Sequence, residues 1–556
     1  MSRLSTDGNI TVEAVPVKHD IGVDLEKDPK AFNEFSDDAN SQTADHTVFP
    51  VDQDRLSRSL SGRQVQMIAI AGVIGTGLFL GTGKSLANGG PASMLICYTI
   101  MGFLVYLTML SLGEMATYMP VAGSFCSYAS RFVSESVGFS LTWNYWFNDV
   151  TSTASDLVAL QLVFKYWSEF PGWAISLIFW VFLIVLNVIH VKAYGELEYW
   201  LALLKVVTII VFIILGIVVN CGGNHDHEYL GFSYWHLEGA PFVNGFKGFA
   251  SVFVTAAFAY GGTESIGITA GEQKNPTKSM PRVIKTVFWR IIIFYVLSIL
   301  LIGINVPYNY PNLSSKETTT SPFTLVFQKA GSKVAGSFIN AVIMTSVLSA
   351  GNHALFAGTR LLYTLAIQGY APKFFGKLTK AKVPYVALLF TSLLSGLCFG
   401  SSFIGAGTLW SWLQNLVGVS NQLSWMLIGV TSIRFRKALD IQGKVHQLKY
   451  VNWTYPWGPW VVVILSAVII LIQGWSSFAP WNVSDFFSYY IELLVFPLLW
   501  LGWQLWSRTT LLIKPEDVDV ETDRYHDTPE DLAEMEYEAQ FKGWRKAVHL
   551  AKSFFV

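Results

Sequence analysis

"AAFAYGGTESIGITAGE", residues 256–272, decides the reading of this chain. It starts as an apolar helix and is broken in mid-run by Gly261, Gly262, Thr263 and Glu264, where a plain lipid-facing helix would use Leu or Val. Each glycine inside a helix costs about 1 kcal/mol relative to Ala. "IAIAGVIGTGLFLGTG", residues 68–83, is interrupted in the same way by Gly72, Gly75, Gly77, Gly81 and Gly83. Close helix packing through small residues is one account of the pattern. The other is that both helices unwind to offer N–H and C=O groups to a ligand, since irregular backbone at membrane depth is tolerated only where it lines a cavity.

The surrounding sequence is that of a membrane protein. Of 556 residues, 52% are hydrophobic and only 14% charged, against about 25% charged in soluble domains. The net charge of −1 gives no footprint for nucleic acid, and no basic cluster with interleaved aromatics occurs. From Gln64 onward twelve apolar stretches approach the roughly 20 residues a span needs: 65–87, 92–116, 137–167, 172–191, 197–220, 246–270, 288–306, 335–366, 384–405, 408–434, 458–475 and 487–507. The two broken stretches are the first and the sixth. That offset of five is expected of two inverted five-helix repeats sharing a site at their interface. The expected fold is therefore an all-α membrane protein of twelve transmembrane helices, with a five-plus-five repeat core, discontinuous helices 1 and 6, and two additional helices.

Flanking segments complete the organisation. Residues 1–60 form an acidic tail of disordered composition, with ten Asp/Glu against four Lys/Arg in the first fifty. They lack a hydrophobic segment, so no signal peptide is expected and the first span would direct insertion. The transporter domain would occupy 61–507 and a polar C-terminal tail 508–556. The segments after spans six, eight and ten carry 14 Lys/Arg, whereas those after spans five, seven and eleven hold only Lys316, Lys329 and Lys333. The positive-inside rule then places both termini in the cytoplasm. Trp143, Trp167, Trp173, Trp200, Trp289, Trp475, Trp481 and Trp506 lie near span ends, where amphipathic rings favour the interface. The four cysteines read as packing residues rather than a disulfide framework.

One cation stands out. "LEYWLALLKVVTIIVFIILG", residues 197–216, carries Lys205 about eight residues from its polar edge, some ~12 Å deep at ~1.5 Å per residue. Burying it there costs at least ~2.5 kcal/mol, and the apolar run on both sides leaves its head no easy route to an interface.

The motifs "IAGVIGTGLFLGTG", "GTESIGITAGEQKNPTKSMPRVIK", "SAGNHALFAGTRLLYTLAIQGYAPKFF" and "DVDVETDR" resemble those of fungal amino-acid permeases of the amino acid–polyamine–organocation superfamily. Similarity extends from about residue 60 to the C-terminal tail, and "TAGE", "SAGN" and "QGWSSFAP" resemble the lysine and arginine branch. The resemblance implies that the substrate α-carboxylate meets N–H groups around Gly75, Thr76 and Gly77, with donors and dipole favouring an anion. The α-ammonium would meet free carbonyls of spans one and six, around Ala257, Phe258, Ala259 and Tyr260. In proton-coupled relatives a lysine in span five resembles a substitute for a sodium ion between spans one, five and eight. Burial penalises the charged form of an amine, which suits Lys205 to loading and losing a proton.

Other candidates are weighed beside it. Glu264 is a proton-coupling candidate, with a structural acid bonded to the broken backbone as the alternative; Glu272 is assigned to gating or structure. Asp156 replaces the glutamate of most fungal permeases and suits a long cationic side chain, a proton relay or a structural role. Ser420 and Asn421 fall where relatives line the side-chain pocket with small residues, and His353 reads as a hydrogen-bonded structural histidine. "GTGKS" at 81–85 lacks the first glycine of a phosphate loop, and "NHDHE" at 224–228 reads as a solvated loop. If the orientation holds, Asn312 and Asn482 are the sequons on the outside.

The sequence thus predicts a plasma-membrane, multi-pass secondary permease importing amino acids, basic ones such as lysine or arginine, with a proton. A general or neutral permease, an exchanger and a non-transporting sensor are the alternatives. No enzyme motif, cofactor or metal site is expected. The expected partners are the amino acid, the proton, membrane lipid and trafficking machinery on the tails.

Overall fold

The computed structural model describes residues 74–529, apart from 122, 190, 268–275, 315–319, 332 and 479, together with 533 and 537. The chain divides into two units, Met1–Phe49 and Pro50–Val556; every described residue belongs to the second. Among the described residues all regular structure is helical, with one isolated bridge between Phe478 and Trp481.

A short helix, α1 (Thr76–Phe79), leads at Leu80 into α2 (Gly81–Tyr118). The expected boundary of spans one and two falls within α2, at Gly90, whose φ of 81° is open to glycine and costly for other residues. The chain doubles back there. Ser85 Oγ and Tyr98 Oη lie 3.5 Å apart, whereas thirteen residues of straight helix would separate them by ~20 Å. Next come α3 (Ser124–Phe132), α4 (Glu135–Phe164), α5 (Gly172–Ile189), α6 (Val191–Asn220) and α7 (Gly245–Tyr260). After the break, α8 (Pro276–Arg290) continues through a π-helical stretch, Ile291–Leu297, into α9 (Ser298–Asn305). The remainder is α10 (Pro322–Lys329), α11 (Lys333–Ile367), α12 (Tyr385–Ser395), α13 (Ser401–Ile404), α14 (Ala406–Ile441), α15 (Trp457–Ile472) and α16 (Val483–Ser507).

Among the described residues, eight helical segments are long and apolar enough to cross a membrane. The expected spans one, three, four and six are outside that set, for different reasons. Span one begins before the described residues, while α5 and α7 are shorter than the others. Helix α4 has 30 residues but is too polar by composition, because it buries Asn144, Asn148, Asp149, Thr151, Ser155, Asp156 and Gln161. A helix enclosed by other helices can hide polar groups that lipid would not accept. Its main neighbours are α11 and α14, and α2 packs along α7.

Apolar side chains also cover the outside. On α6, Val207, Ile210, Val211, Ile214, Ile217 and Val218 are exposed while Ala202, Lys205, Ile209 and Phe212 are buried. The exposed stripe suits lipid, and the opposite stripe carries the lysine inward. Seven of the eight end-of-span tryptophans are exposed. Trp143 differs: it is partly buried, stacked edge-on against Trp146, and donates from Nε1 to the Tyr370 carbonyl. The cysteine reading needs one correction as well, since Cys97, Cys126 and Cys398 are buried but Cys221 is exposed and cannot be a packing residue.

The C-terminal segment after α16 is fastened to the helices. Arg131 pairs with Asp523 at 2.6 Å, Lys449 with Asp527 at 2.6 Å, and Tyr525 N donates to the Tyr118 carbonyl. Within "DVDVETDR", Asp519 accepts from the amides of Glu521 and Thr522. Burial pushes the Asp519 carboxyl up, but bonds from Thr522 and Glu521 and the Arg131 charge outweigh it and leave it below the usual carboxylate range. In "NHDHE", Asn224 accepts from the amides of Asp226 and Glu228, so the motif is a side-chain-organised turn. Lys84 of "GTGKS" donates to Gln414 and Asn415.

Candidate substrate-binding and coupling site

Helix α7 stops at Tyr260, where Gly261 takes φ −58°, ψ 152° and Gly262 the left-handed φ of 80°. Asn421 of α14 fills the gap: a Cβ on Gly261 would lie 1.8 Å from its Nδ2. The four carbonyls at this end all accept a bond. Ala257 receives Asn421 Nδ2 at 3.3 Å, Phe258 the Gly261 amide, Ala259 the Tyr295 hydroxyl at 2.8 Å, and Tyr260 the Thr263 hydroxyl at 2.7 Å. Of these residues Phe258 lines the central cavity; Ala257, Ala259 and Tyr260 do not.

The other wall is the start of α1. Gly75 precedes the helix without a side-chain cap, so the first amides have no intrahelical acceptor. Gly75, Thr76 and Gly77 line the cavity. Gly77 also permits a close crossing, because a Cβ there would be 2.3 Å from the Ala259 Cα. Gly77→Val is expected to force α1 from α7 and destabilise the protein by ~1–3 kcal/mol, the usual cost of overpacking. Thermal unfolding in detergent measures it, and an unchanged midpoint contradicts the crossing.

Between these walls lies a narrow cavity of about 50 Å³, room for a few waters at the ~10–15 Å³ each requires. Its walls must part to admit an amino acid. Asp156, Asn421 and His353 line it, and so do Asn148, Asp149 and Ser152, which sequence reasoning did not single out. Asp156 Oδ1 accepts from Thr76 Oγ1 at 2.7 Å, tying α4 to the start of α1. His353 Nε2 and Ser265 Oγ are 2.8 Å apart, a hydrogen-bonded histidine on the cavity wall. Ser420 is turned away and accepts from Asn144 Nδ2 at 2.7 Å.

Lys205 lies behind Asp156, only 1% exposed. Its Nζ donates to Ser349 Oγ of α11 at 2.9 Å, and Ser349 donates to Glu198 Oε2 at 2.6 Å. Asn352 donates to the other Glu198 oxygen at 3.0 Å. Glu198 and Asp156 are the opposite charges acting on Lys205. Glu198 was missed because it stands at the polar edge of its apolar run. Glu264 is also off the cavity, where Tyr145 Oη and Trp425 Nε1 donate to its two oxygens at 2.7 and 2.9 Å. Glu272 lies outside the described residues. Among the described residues, no group of three or more His, Cys, Asp or Glu is placed to hold a metal ion.

Helices that bury polar side chains inside and present apolar ones outside, around a polar cavity between the end of α7 and the start of α1, are those of a membrane protein with an internal cavity. The chain belongs to the amino acid permease family, which it matches over residues 64–515. It is 48% identical over 486 residues to a probable amino-acid permease of Schizosaccharomyces pombe, covering 84% of this chain and 95% of that protein. It is 43% identical over 457 residues to the lysine-specific permease LysP of Escherichia coli (81% and 94% covered). A general amino-acid permease of Candida albicans, GAP2, is 40% identical over 501 residues (88% and 85% covered).

Proposed function

We propose that this permease imports a basic amino acid, lysine or arginine, by proton symport across the plasma membrane. The observation that carries the coupling is the buried chain Lys205–Ser349–Glu198 beside Asp156, which itself holds Thr76 at the start of α1. A proton arriving at or leaving this group changes the balance of charge behind the cavity wall, and the Thr76 bond transmits that change to the helix that meets the substrate. Gly75, Thr76 and Gly77 bind the α-carboxylate. The chain end at Phe258–Gly262, with Asn421, faces the α-ammonium. Ala257, Ala259, Tyr260 and Ser420 shape the site from behind, Glu264 takes part in proton movement, and Glu272 serves the cytoplasmic gate.

The architecture that goes with this reading is twelve spans, an inverted five-plus-five core, and cytoplasmic tails at 1–60 and 508–556 that serve trafficking. The basic preference is supported by the acidic lining of the cavity and by similarity to a lysine-specific permease. Similarity to a general permease favours a broader substrate range as the second reading. Uptake of a radiolabelled amino-acid panel in a permease-deficient host, with and without a protonophore, separates them. Lysine or arginine should dominate and their accumulation should collapse with the protonophore. Uniform uptake of neutral amino acids would establish the broader reading, and accumulation that survives the protonophore would establish exchange.

A further inference from the structure

Helix α4 presents two carboxylates to the cavity, Asp149 and Asp156. Seven residues separate them, two helical turns or ~10.5 Å along the axis. Their surroundings differ. Asp156 accepts from Thr76 and feels the charge of Lys205. Asp149 is 6% exposed, and its Oδ2 is buried without a hydrogen-bond partner. No described Lys, Arg or His is paired with it, and the ionisable neighbour from the end of α7 is Glu264, which has the same sign. On α11, Gly358 lets Asp149 pack closely, since a Cβ there would come within 2.9 Å of the Asp149 Cβ. The neighbouring Asn148 directs its Nδ2 to Asn421 Oδ1 at 3.1 Å, and Asp149 Oδ2 is left without a bond.

A buried carboxylate without a donor is costly for a fold to keep. Here it stands on a cavity wall, where a ligand can bring the donor. We propose that Asp149 receives the cationic end of the substrate side chain, an ammonium or guanidinium, and so sets the preference for basic over neutral amino acids. The proposal rests on the reading that Gly75–Gly77 bind the α-carboxylate. The dimensions suit it. Lysine has six bonds between its carboxylate carbon and its terminal nitrogen, ~7.5 Å when extended, and a hydrogen bond of ~2.8 Å at the amine completes the reach. Thr76 marks the carboxylate end through its bond to Asp156, and Asp149 lies two turns along the same helix face.

The test compares lysine with norleucine, which keeps the four-carbon chain and lacks the amine, by competition binding to the purified full-length protein. The unmodified protein should prefer lysine by about tenfold or more, as expected for a charged hydrogen bond in a closed site. Asp149→Asn should reduce that preference to about twofold or less while norleucine binding persists, which also reports that the variant is folded. Asp149→Glu should retain the lysine preference, and Asp156→Asn should weaken both ligands alike. A full lysine preference in Asp149→Asn overturns the assignment and leaves the basic-permease reading intact; selective loss in Asp156→Asn moves the role to that residue. If the unmodified protein shows no lysine preference, the basic reading falls and the proposal with it. Should Asp149→Asn bind neither ligand, Asp149→Ser decides by the same criterion.

Discussion

Replacing Lys205 by methionine is expected to abolish concentrative uptake and its dependence on external pH, while leaving substrate binding measurable. The amine is the cation between Glu198 and Asp156, and Ser349 links it to Glu198. Without it two buried carboxylates remain with no cation between them. Removing one partner from a buried ionic group commonly costs ~3–5 kcal/mol, so protein abundance has to be followed in parallel with transport. Ser349→Ala is the milder companion. It keeps every charge and removes the bridge, and should slow uptake without preventing assembly. A Lys205→Met protein that concentrates substrate with normal pH dependence would remove this residue from the coupling role.

The second large effect concerns assembly. Glu114 of α2 is fully buried and accepts from Arg436 of α14 through both oxygens, at 2.9 and 2.6 Å. It also accepts from the Asn452 amide at 2.7 Å. Glu114→Ala would leave the guanidinium and an amide unsatisfied, at a cost of ~3–5 kcal/mol. Lower abundance and an earlier thermal transition in detergent are expected. The double replacement Glu114→Leu with Arg436→Met should recover most of that loss, because apolar residues of similar volume often replace a buried ion pair at little cost. If the double variant is as unstable as the single one, packing around this pair matters more than its charge.

Of the two expected helix breaks, one lies wholly among the described residues. At Gly261–Gly262 the end of α7 is observed, and the sequence pointed there because glycine and threonine interrupt an apolar run. At Gly75 only the outgoing side, α1, is among the described residues. Lys205 was legible because an apolar frame makes a cation conspicuous. Asp149 was not legible, because "NDVTSTASD" holds so many polar residues that no single one stands out. Glu198 was hidden for a third reason: three residues from Gly195, it looks like the edge of a span rather than part of its interior.

Hydropathy and glycine placement act locally along the chain, and by themselves they determined that this is a helical membrane protein with a helix ending at Gly261. Motif order added the family. Which polar groups meet was decided only in three dimensions. Tyr145 and Trp425 reach Glu264 from 119 and 161 residues away, and Ser349 reaches Glu198 from 151. Each such bond depends on how α4, α6, α11 and α14 rotate against one another. That rotation is set by the packing of whole helix faces, where small residues such as Gly77 and Gly358 allow close approach. A side chain's neighbours in sequence carry no record of it.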